Sequence, residues 1–325
     1  MLNCFVPGSQ GLDRLDPPPA ADIPEQCVWV DLLEPTLAEE RAVERLLAID
    51  VPSREEMREI ETSSRLYEEN GTLYMTATVV TKIDTDRPES AAITFILSRN
   101  RLITNRYVDP LPFRRFVAYS ERHPSAATNA PAILAGLLEA VVERTADVLE
   151  RVGIGLDELS ASVFAAPTPK GAVRTRDLRG VMERIGRDGD LTSKARESLV
   201  TLARQLTFIQ QSSAIQLPKE SVARYRSMSR DVLALSDHAS FLANKSSFML
   251  QATLGLINIE QNNIIKIFSV AAAMFLPPTL IASIYGMNFD FMPELVKHWG
   301  YPLALLLMVI SGVVPYVFFR RRGWL

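Results

Sequence analysis

The residues whose types and placement could do chemistry cluster near the end of the chain. Gly286-Met287-Asn288 follows directly on an uncharged run from Ile267 to Tyr285, and the acids Asp290 and Glu294 come just after it. A run of that length is about what a helix needs to cross a bilayer. Thr279 and Ser283 lie inside it as isolated polar residues. Polar side chains in such a helix have two uses: they hold neighbouring helices together, or they line a path for a solute. On a helical count Asn262, Ile265, Phe268, Ala272, Leu276, Thr279 and Ser283 recur at steps of three or four and share one face. That face mixes bulky apolar residues with small polar ones, and periodicity leaves both uses open. Pro277-Pro278 predicts a kink inside the run, tolerated where neighbouring helices satisfy the freed carbonyls.

Other chemistry finds little support. His123, His238 and His298 stand singly, with no Cys or His at metal-ligand spacing, and read as surface or capping residues. Gly153-x-Gly155 and Lys170-Gly171 lack the flanking pattern of a phosphate loop and read as turn or helix chemistry. The two cysteines, Cys4 and Cys27, make neither a disulfide framework nor a thiolate metal site. No nucleophile–base pairing stands out, so the reading is of a protein that is not an enzyme and needs no organic cofactor. The formal net charge of −3, with no basic block outside the flanks of the apolar runs, argues against a nucleic-acid partner.

The elements that must hold these residues are two spans. A second apolar run, Tyr301 to Phe319, follows a short polar loop, and the pair predicts a C-terminal hairpin in a lipid bilayer. Lys266 precedes the first span and Arg320-Arg321-Arg322 follows the second, whereas the loop sets Asp290 and Glu294 against Lys297 alone. By the positive-inside rule both termini are cytoplasmic and the loop faces out. Trp299, Tyr301 and Trp324 are placed as interfacial anchors. The start of the chain, Met1 to Asp16, has no basic opening and no apolar core, so no signal peptide is read there.

Upstream the composition is that of a soluble protein. Residues 1–27 are Pro-rich and are expected to be irregular, with Pro17-Pro18-Pro19 as a stiff linker. Cys27-Val-Trp-Val-Asp31 reads as a buried strand, and an amphipathic helix is predicted from Pro35-Thr36 to about Ile49. Ser63–Glu68 and Thr72–Lys82 are expected strands joined around Asn70-Gly71, a strong hairpin turn. Ala91–Ser98 and Arg101–Tyr107 form a second expected hairpin around Arg99-Asn100. This mixture predicts an α/β layer domain over 1–125. Helical periodicity then runs from Pro131 to Ala165 and from Thr175 to Gln211, separated by the turn Ala166-Pro-Thr-Pro-Lys-Gly171, which gives a long helical hairpin over 126–217. From Lys219 to Leu276 the only helix breaker is Gly255. A continuous helix there would run about 87 Å, as a stalk over 218–266 that enters the membrane hairpin of 267–325 and could couple a soluble sensor mechanically to a pore.

Tyr285-Gly286-Met287-Asn288-Phe289 resembles the CorA family of bacterial magnesium channels. The likeness extends to Phe275-Leu-Pro-Pro-Thr-Leu280, Phe291-Met-Pro-Glu294, Gly300-Tyr-Pro302, the basic ending with Trp324-Leu325, and Asn258-Ile-Glu-Gln-Asn262. It covers about the last quarter of the chain, and Trp29-Val-Asp-Leu32 is similar more weakly. The resemblance implies a homopentamer with a cytoplasmic funnel in the bacterial inner membrane, its pore lined by the first span of each subunit. Two spans enclose no water-filled path, whereas a ring of identical hairpins does. Mg2+ dehydrates reluctantly, so a ring of Asn288 carbonyls would accept hydrogen bonds from its water shell. Gly286 would permit a sharp turn and Met287 completes the filter. Asp290 and Glu294 would concentrate cations at the mouth. Phe268 and Leu276 would be apolar constrictions, and Asn262 and Thr279 would hold hydrated ions further in, with Ser283 on the same lining. The membrane potential drives cations inward without ATP.

The resemblance also implies a gate held shut by cytoplasmic Mg2+ bridging carboxylates between subunits. The stalk positions expected to carry those carboxylates read Ser227 and Gln251 here. Asp231 and Asp237 nearby, and Asp84 and Asp86 after a predicted strand, are the sensor candidates, beside the plain reading of solvated acids. The function so implied is passive Mg2+ influx, with Co2+ and Ni2+ as further candidate cargo. A zinc transporter of the same superfamily is the alternative, which Met287 disfavours. A membrane-anchored scaffold or signalling protein is the other, and an anchor needs neither Asn288 nor a polar face.

Overall fold

A computed structural model describes residues 1–8, 11–15, 23–85, 87–98, 101–164, 177–287, 293 and 297–324. The chain divides into two compact units, Met1–Met249 and Leu250–Leu325.

The first unit is built on a seven-stranded sheet of β1 (Leu2–Gly8), β2 (Gly11–Arg14), β3 (Trp29–Leu33), β4 (Leu66–Glu69), β5 (Thr72–Thr81), β6 (Glu89–Ser98) and β7 (Arg101–Arg106), in the order β2-β1-β3-β7-β6-β5-β4. β3 and β7 pair in parallel and every other pair is antiparallel. The mixed α/β layer is therefore as expected, with three local differences. Residues 1–27 are not irregular throughout, because β1 and β2 form a hairpin whose β1 strand joins the sheet beside β3. The first strand of the Asn70-Gly71 hairpin begins at Leu66, since Thr62–Arg65 is a helical turn (α2). A helix that sequence periodicity did not reveal, α3 (Leu111–Ser120), packs Phe113 and Phe116 onto the sheet. The turn at Asn70-Gly71 holds positive φ at both residues, 51° and 73°, which asparagine tolerates and glycine adopts freely. Arg99 and Asn100, Pro17-Pro18-Pro19 and the turn at 166–171 lie outside the described residues.

Side chains alternate across β3. Val30 and Leu32 join Leu2, Cys4, Val43 and Ile103 in a core beneath α1 (Leu37–Leu47). That helix starts at a reciprocal capping box, Thr36 with Glu39, which satisfies two otherwise open amides. Trp29 and Asp31 point to the opposite face, where Trp29 stacks on Phe5 with ring centroids 4.4 Å apart. Asp31 is 1% exposed and carries a polar network. Arg106 donates Nε to its Oδ1 and Nη2 to its Oδ2, each at 2.8 Å. The Thr104 hydroxyl donates to Oδ1 at 2.8 Å while accepting from the Trp29 indole at 3.0 Å. Asn3 donates to Oδ2 at 3.2 Å. Burial works against the Arg106 charge, but the hydrogen bonds and charges of Asp31 and Asp109 more than offset it and raise its pKa. The weak Trp-Val-Asp-Leu resemblance thus has a physical basis: an indole and a carboxylate fastened to β7.

Two long helices, α4 (Ala130–Phe164) and α5 (Leu178–Gln211), complete the layer. A third, α6 (Lys219–Tyr285), is continuous across Gly255 and the proline pair. Within the first unit α6 is fixed by the buried Tyr225, whose hydroxyl donates to the Pro131 carbonyl at 2.9 Å. Lys245 pairs with Asp157 at 2.6 Å, and Arg224 pairs with Glu139.

The second unit holds the remainder of α6 and α7 (Gly300–Arg321). Both helices are long and apolar enough to cross a membrane, with mean hydropathy 1.9 and 2.2 over their most apolar windows.

Candidate ion pathway

The two spans pack through small residues. Val270 of α6 is buried, and Ala273, Met274, Pro277 and Ile281 follow at helical spacing as half-buried positions. On α7 Gly300 and Ala304 are buried, and Met308, Ser311, Gly312 and Pro315 are half-buried. A side chain at Gly312 would begin 3.5 Å from the Met274 carbonyl oxygen and 3.5 Å from Pro278 Cγ, so the helices approach closely beside the prolines. Pro278 has no N–H and leaves that same carbonyl without its helical donor. The absence of a side chain at Gly312 lets the backbone of α7 come up against it.

The other side of α6 is uncovered. Asn262, Ile265, Phe268, Ala272, Leu276, Thr279 and Ser283 are all exposed in the single chain. Phe268 and Leu276 are 71% and 67% exposed. The face picked out by sequence periodicity is therefore turned away from its own hairpin partner. Thr279 donates its hydroxyl to the Phe275 carbonyl at 2.7 Å, so its donor is used within the helix and its lone pairs are left to face outward.

At the far end α6 stops at Tyr285. Gly286 donates its N–H to the Ala282 carbonyl at 3.0 Å, continuing the helical ladder, and Met287 donates to Ile284 at 3.3 Å. Positive φ among the described glycines occurs at Gly11, Gly71 and Gly323, so the backbone at Gly286 is not left-handed. A Cβ there would instead lie 3.1 Å from the Ala282 carbonyl, closer than ordinary contact. Met287 is 47% exposed. Asn288, Asp290 and Glu294 lie outside the described residues.

Cation–aromatic contacts mark both ends of the hairpin. Lys266 Nζ sits 6.0 Å from the centre of the Trp324 ring, which brings the start of the first span beside the end of the second. Lys297 sits 5.2 Å over Trp299 at the loop end. Such pairs suit the boundary between lipid and water, where an aromatic ring and a charge are both accommodated.

Among the described residues the sensor candidates do not form a metal-holding group. Asp84 is held by Arg144 at 3.0 Å and Arg151 at 2.9 Å. The Arg151 hydrogen bond is the first cause that holds the Asp84 carboxyl below the usual range, with Arg144 adding to it. Asp86 lies outside the described residues. Asp231 and Asp237 are exposed on α6 and make no ion pair among the described residues. Among those residues no group of three or more His, Cys, Asp or Glu side chains is arranged to hold a metal ion.

Comparison with known proteins bears on the whole chain. The family model described as CorA-like Mg2+ transporter protein matches residues 24–321. The Magnesium transport protein CorA of Mannheimia succiniciproducens is 35% identical over 325 residues, with both chains covered completely. That of Haemophilus influenzae is 34% identical over the same span. Among solved structures, the complete CorA magnesium transporter of Methanocaldococcus jannaschii aligns with a TM-score of 0.76 at 22% identity, covering 100% of this chain and 99% of that one. The ZntB cytoplasmic domain of Vibrio parahaemolyticus aligns over 79% of this chain with a TM-score of 0.56 at 9% identity, a likeness of fold alone.

Proposed function

The chain belongs to the CorA-like Mg2+ transporter family, and from that premise we propose that it is a passive Mg2+ channel assembled from five copies. It is a membrane transport protein and not an enzyme. The observation that carries the channel reading is the uncovered face of α6 from Asn262 to Ser283, directed away from α7 and mixing polar with bulky apolar residues. In lipid a polar residue on an open face is unfavourable unless it meets water or another protein. A ring of five hairpins supplies both, with that face toward a shared axis.

In this reading Asn288 crowns the pore, with Gly286 and Met287 shaping the approach. Its neutral amide oxygen accepts hydrogen bonds from metal-bound water and leaves the Mg2+ shell intact. Asp290 and Glu294 raise the cation concentration at the mouth. Phe268 and Leu276 are the narrow apolar rings, and Asn262 on one side of them and Thr279 and Ser283 on the other are wetted steps. The flanking Lys266 and Arg320–Arg322 set both termini in the cytoplasm, with the inner membrane as the location and the potential across it as the driving force. Co2+ and Ni2+, also small and octahedrally hydrated, are candidate secondary cargo. Intracellular Mg2+ closes the channel through acids at subunit interfaces, of which Asp84, Asp86, Asp231 and Asp237 are the candidates. Asp84 serves only if Mg2+ displaces Arg144 and Arg151 from it.

The test is Mg2+ flux in liposomes holding the purified protein, with assembly checked by native mass. Asn288→Ala removes the acceptor and abolishes flux while the pentamer persists. Asn288→Asp keeps the acceptor but adds five negative charges around one axis, which slows ion exit. A correctly assembled Asn288→Ala protein that conducts Mg2+ like the wild type would overturn the filter assignment.

A further inference from the structure

Away from the membrane hairpin, the first unit has a cavity of about 550 Å³ between α5 and the β4–β5 edge of the sheet. Its size is that of sites for small organic ligands. Three arginines line it: Arg65 from α2, and Arg196 and Arg204 from α5. Arg196, Val200 and Arg204 succeed one another at steps of four along α5, so the two arginines arise from backbone positions about 12 Å apart along the helix. Ser193 and Thr62 add hydroxyl groups, and Ile60, Leu66 and Val200 form an apolar wall. Ile60 is 88% exposed, an unusual setting for so apolar a side chain.

The charge in this cavity is not balanced by the protein. None of the three arginines makes an ion pair among the described residues. Arg65 spends Nη1 on the Thr78 hydroxyl at 3.0 Å and Nε on the Glu59 carbonyl, both neutral acceptors. Arg204 reaches the Thr62 hydroxyl at 3.4 Å. Glu197 is the one carboxylate on the lining, and it accepts a hydrogen bond from Ser90 at 3.4 Å. Burial depresses the Arg65 pKa, the Glu197 charge offsets part of this, and the Arg204 charge adds a smaller depression. Three guanidiniums with one carboxylate among the described lining residues leave a cationic cavity that suits an anion.

We propose that this cavity binds a phosphorylated small molecule of the nucleoside diphosphate class. Guanidinium groups recognise phosphate oxygens bidentately and keep their charge at any physiological pH. Two phosphates bridge arginines on facing elements, as Arg65 and the α5 pair are placed. The apolar wall beside them receives the flat face of a base. The inference does not rest on the channel reading, since every residue in it belongs to the first unit.

The experiment is calorimetric titration of the full-length protein in detergent with ADP, pyrophosphate and adenosine, in buffer free of divalent metal. ADP and pyrophosphate are expected to bind, and adenosine to give no measurable heat, because the phosphates supply most of the affinity. Arg196→Ala with Arg204→Ala is expected to weaken ADP by at least tenfold. Both side chains are exposed and make no ion pair among the described residues, so their loss leaves the fold intact, which a thermal melt checks. Arg179→Ala, a distant exposed arginine of α5, is the charge control and leaves ADP affinity unchanged. Absence of ADP binding at millimolar concentration overturns the proposal, as does equal ADP affinity in the double variant and the wild type. Neither result touches the Asn288 flux test.

Discussion

Replacing Arg106 by methionine tests the account of the buried network on the sheet. The substitution keeps most of the aliphatic stem but removes both guanidinium hydrogen bonds to Asp31. The carboxylate, 1% exposed, is then left with the Thr104 hydroxyl and the Asn3 amide. Breaking a buried pair from one side costs about 3–5 kcal/mol, because the remaining charge is uncompensated. Loss of the guanidinium over the Phe113 ring, 4.8 Å from its centre, adds roughly 0.5–1 kcal/mol. For a unit of this size that total corresponds to a fall in Tm of roughly 7–24 °C. Asp31→Leu alone is expected to be milder, since Arg106 keeps Asp109 at 2.9 Å. The double variant Asp31→Leu/Arg106→Met removes both charges together and is expected to recover most of the loss. The assay is thermal unfolding of the full-length protein in detergent, followed by tryptophan fluorescence. Trp29 reports directly, because its indole is bonded to the same Thr104. The reasoning is refuted if Arg106→Met melts within 2 °C of wild type, or if the double variant loses the sum of the two single losses.

Gly312→Ala is expected to be tolerated, because a Cβ there meets the Met274 carbonyl and Pro278 at ordinary contact. Gly312→Leu should overpack the hairpin by about 1–3 kcal/mol, seen as a lower melting temperature and less assembled protein on gel filtration. Asp84→Asn gives a pH signature. The Asp84 pKa is depressed below its ordinary 3.8 in the fold, so its stabilising contribution is present above that value and fades as pH falls through the depressed pKa. Melting temperatures of wild type and variant should therefore differ at pH 7 and converge in acid, and a difference that grows in acid would contradict the pairing with Arg144 and Arg151. Thr36→Ala removes the capping box of α1 and should lower stability by about 1 kcal/mol in denaturant titration.

The parts of the molecule legible from sequence are those where a local rule is strict. A bilayer demands a long uncharged run, so both spans and their flanking charges stand out in the composition. Asn70-Gly71 announces its turn because few other pairs take two positive φ values in succession. Helical periodicity selected one face of α6, and the hairpin leaves that face exposed. What remained hidden depends on partners distant in sequence. β1 and β2 fall in a Pro-rich stretch, and their place in the sheet comes from pairing with each other and with β3 rather than from their own pattern. Thr62–Arg65 turns helical where Arg65 reaches back to Glu59 and across to Thr78. Asp84 looks like any solvated acid until Arg144 and Arg151, 60 and 67 residues further on, are folded against it. The cavity with its three arginines has no motif, because its walls come from separate elements.

The adjacent prolines of α6 have a mechanical consequence. Each lacks the N–H that would bind the carbonyl four residues earlier, so two successive rungs are missing, at Ala273 and Met274. A helix with a gap of that kind bends there at less cost than elsewhere along its length. Phe268 and Asn262 lie on one side of the soft joint, and Thr279 and Ser283 on the other. Gly312 of α7 lies against this joint, where a Cβ would begin 3.5 Å from the Met274 carbonyl oxygen. Stiffness, and not only side-chain chemistry, is written into the proline pair.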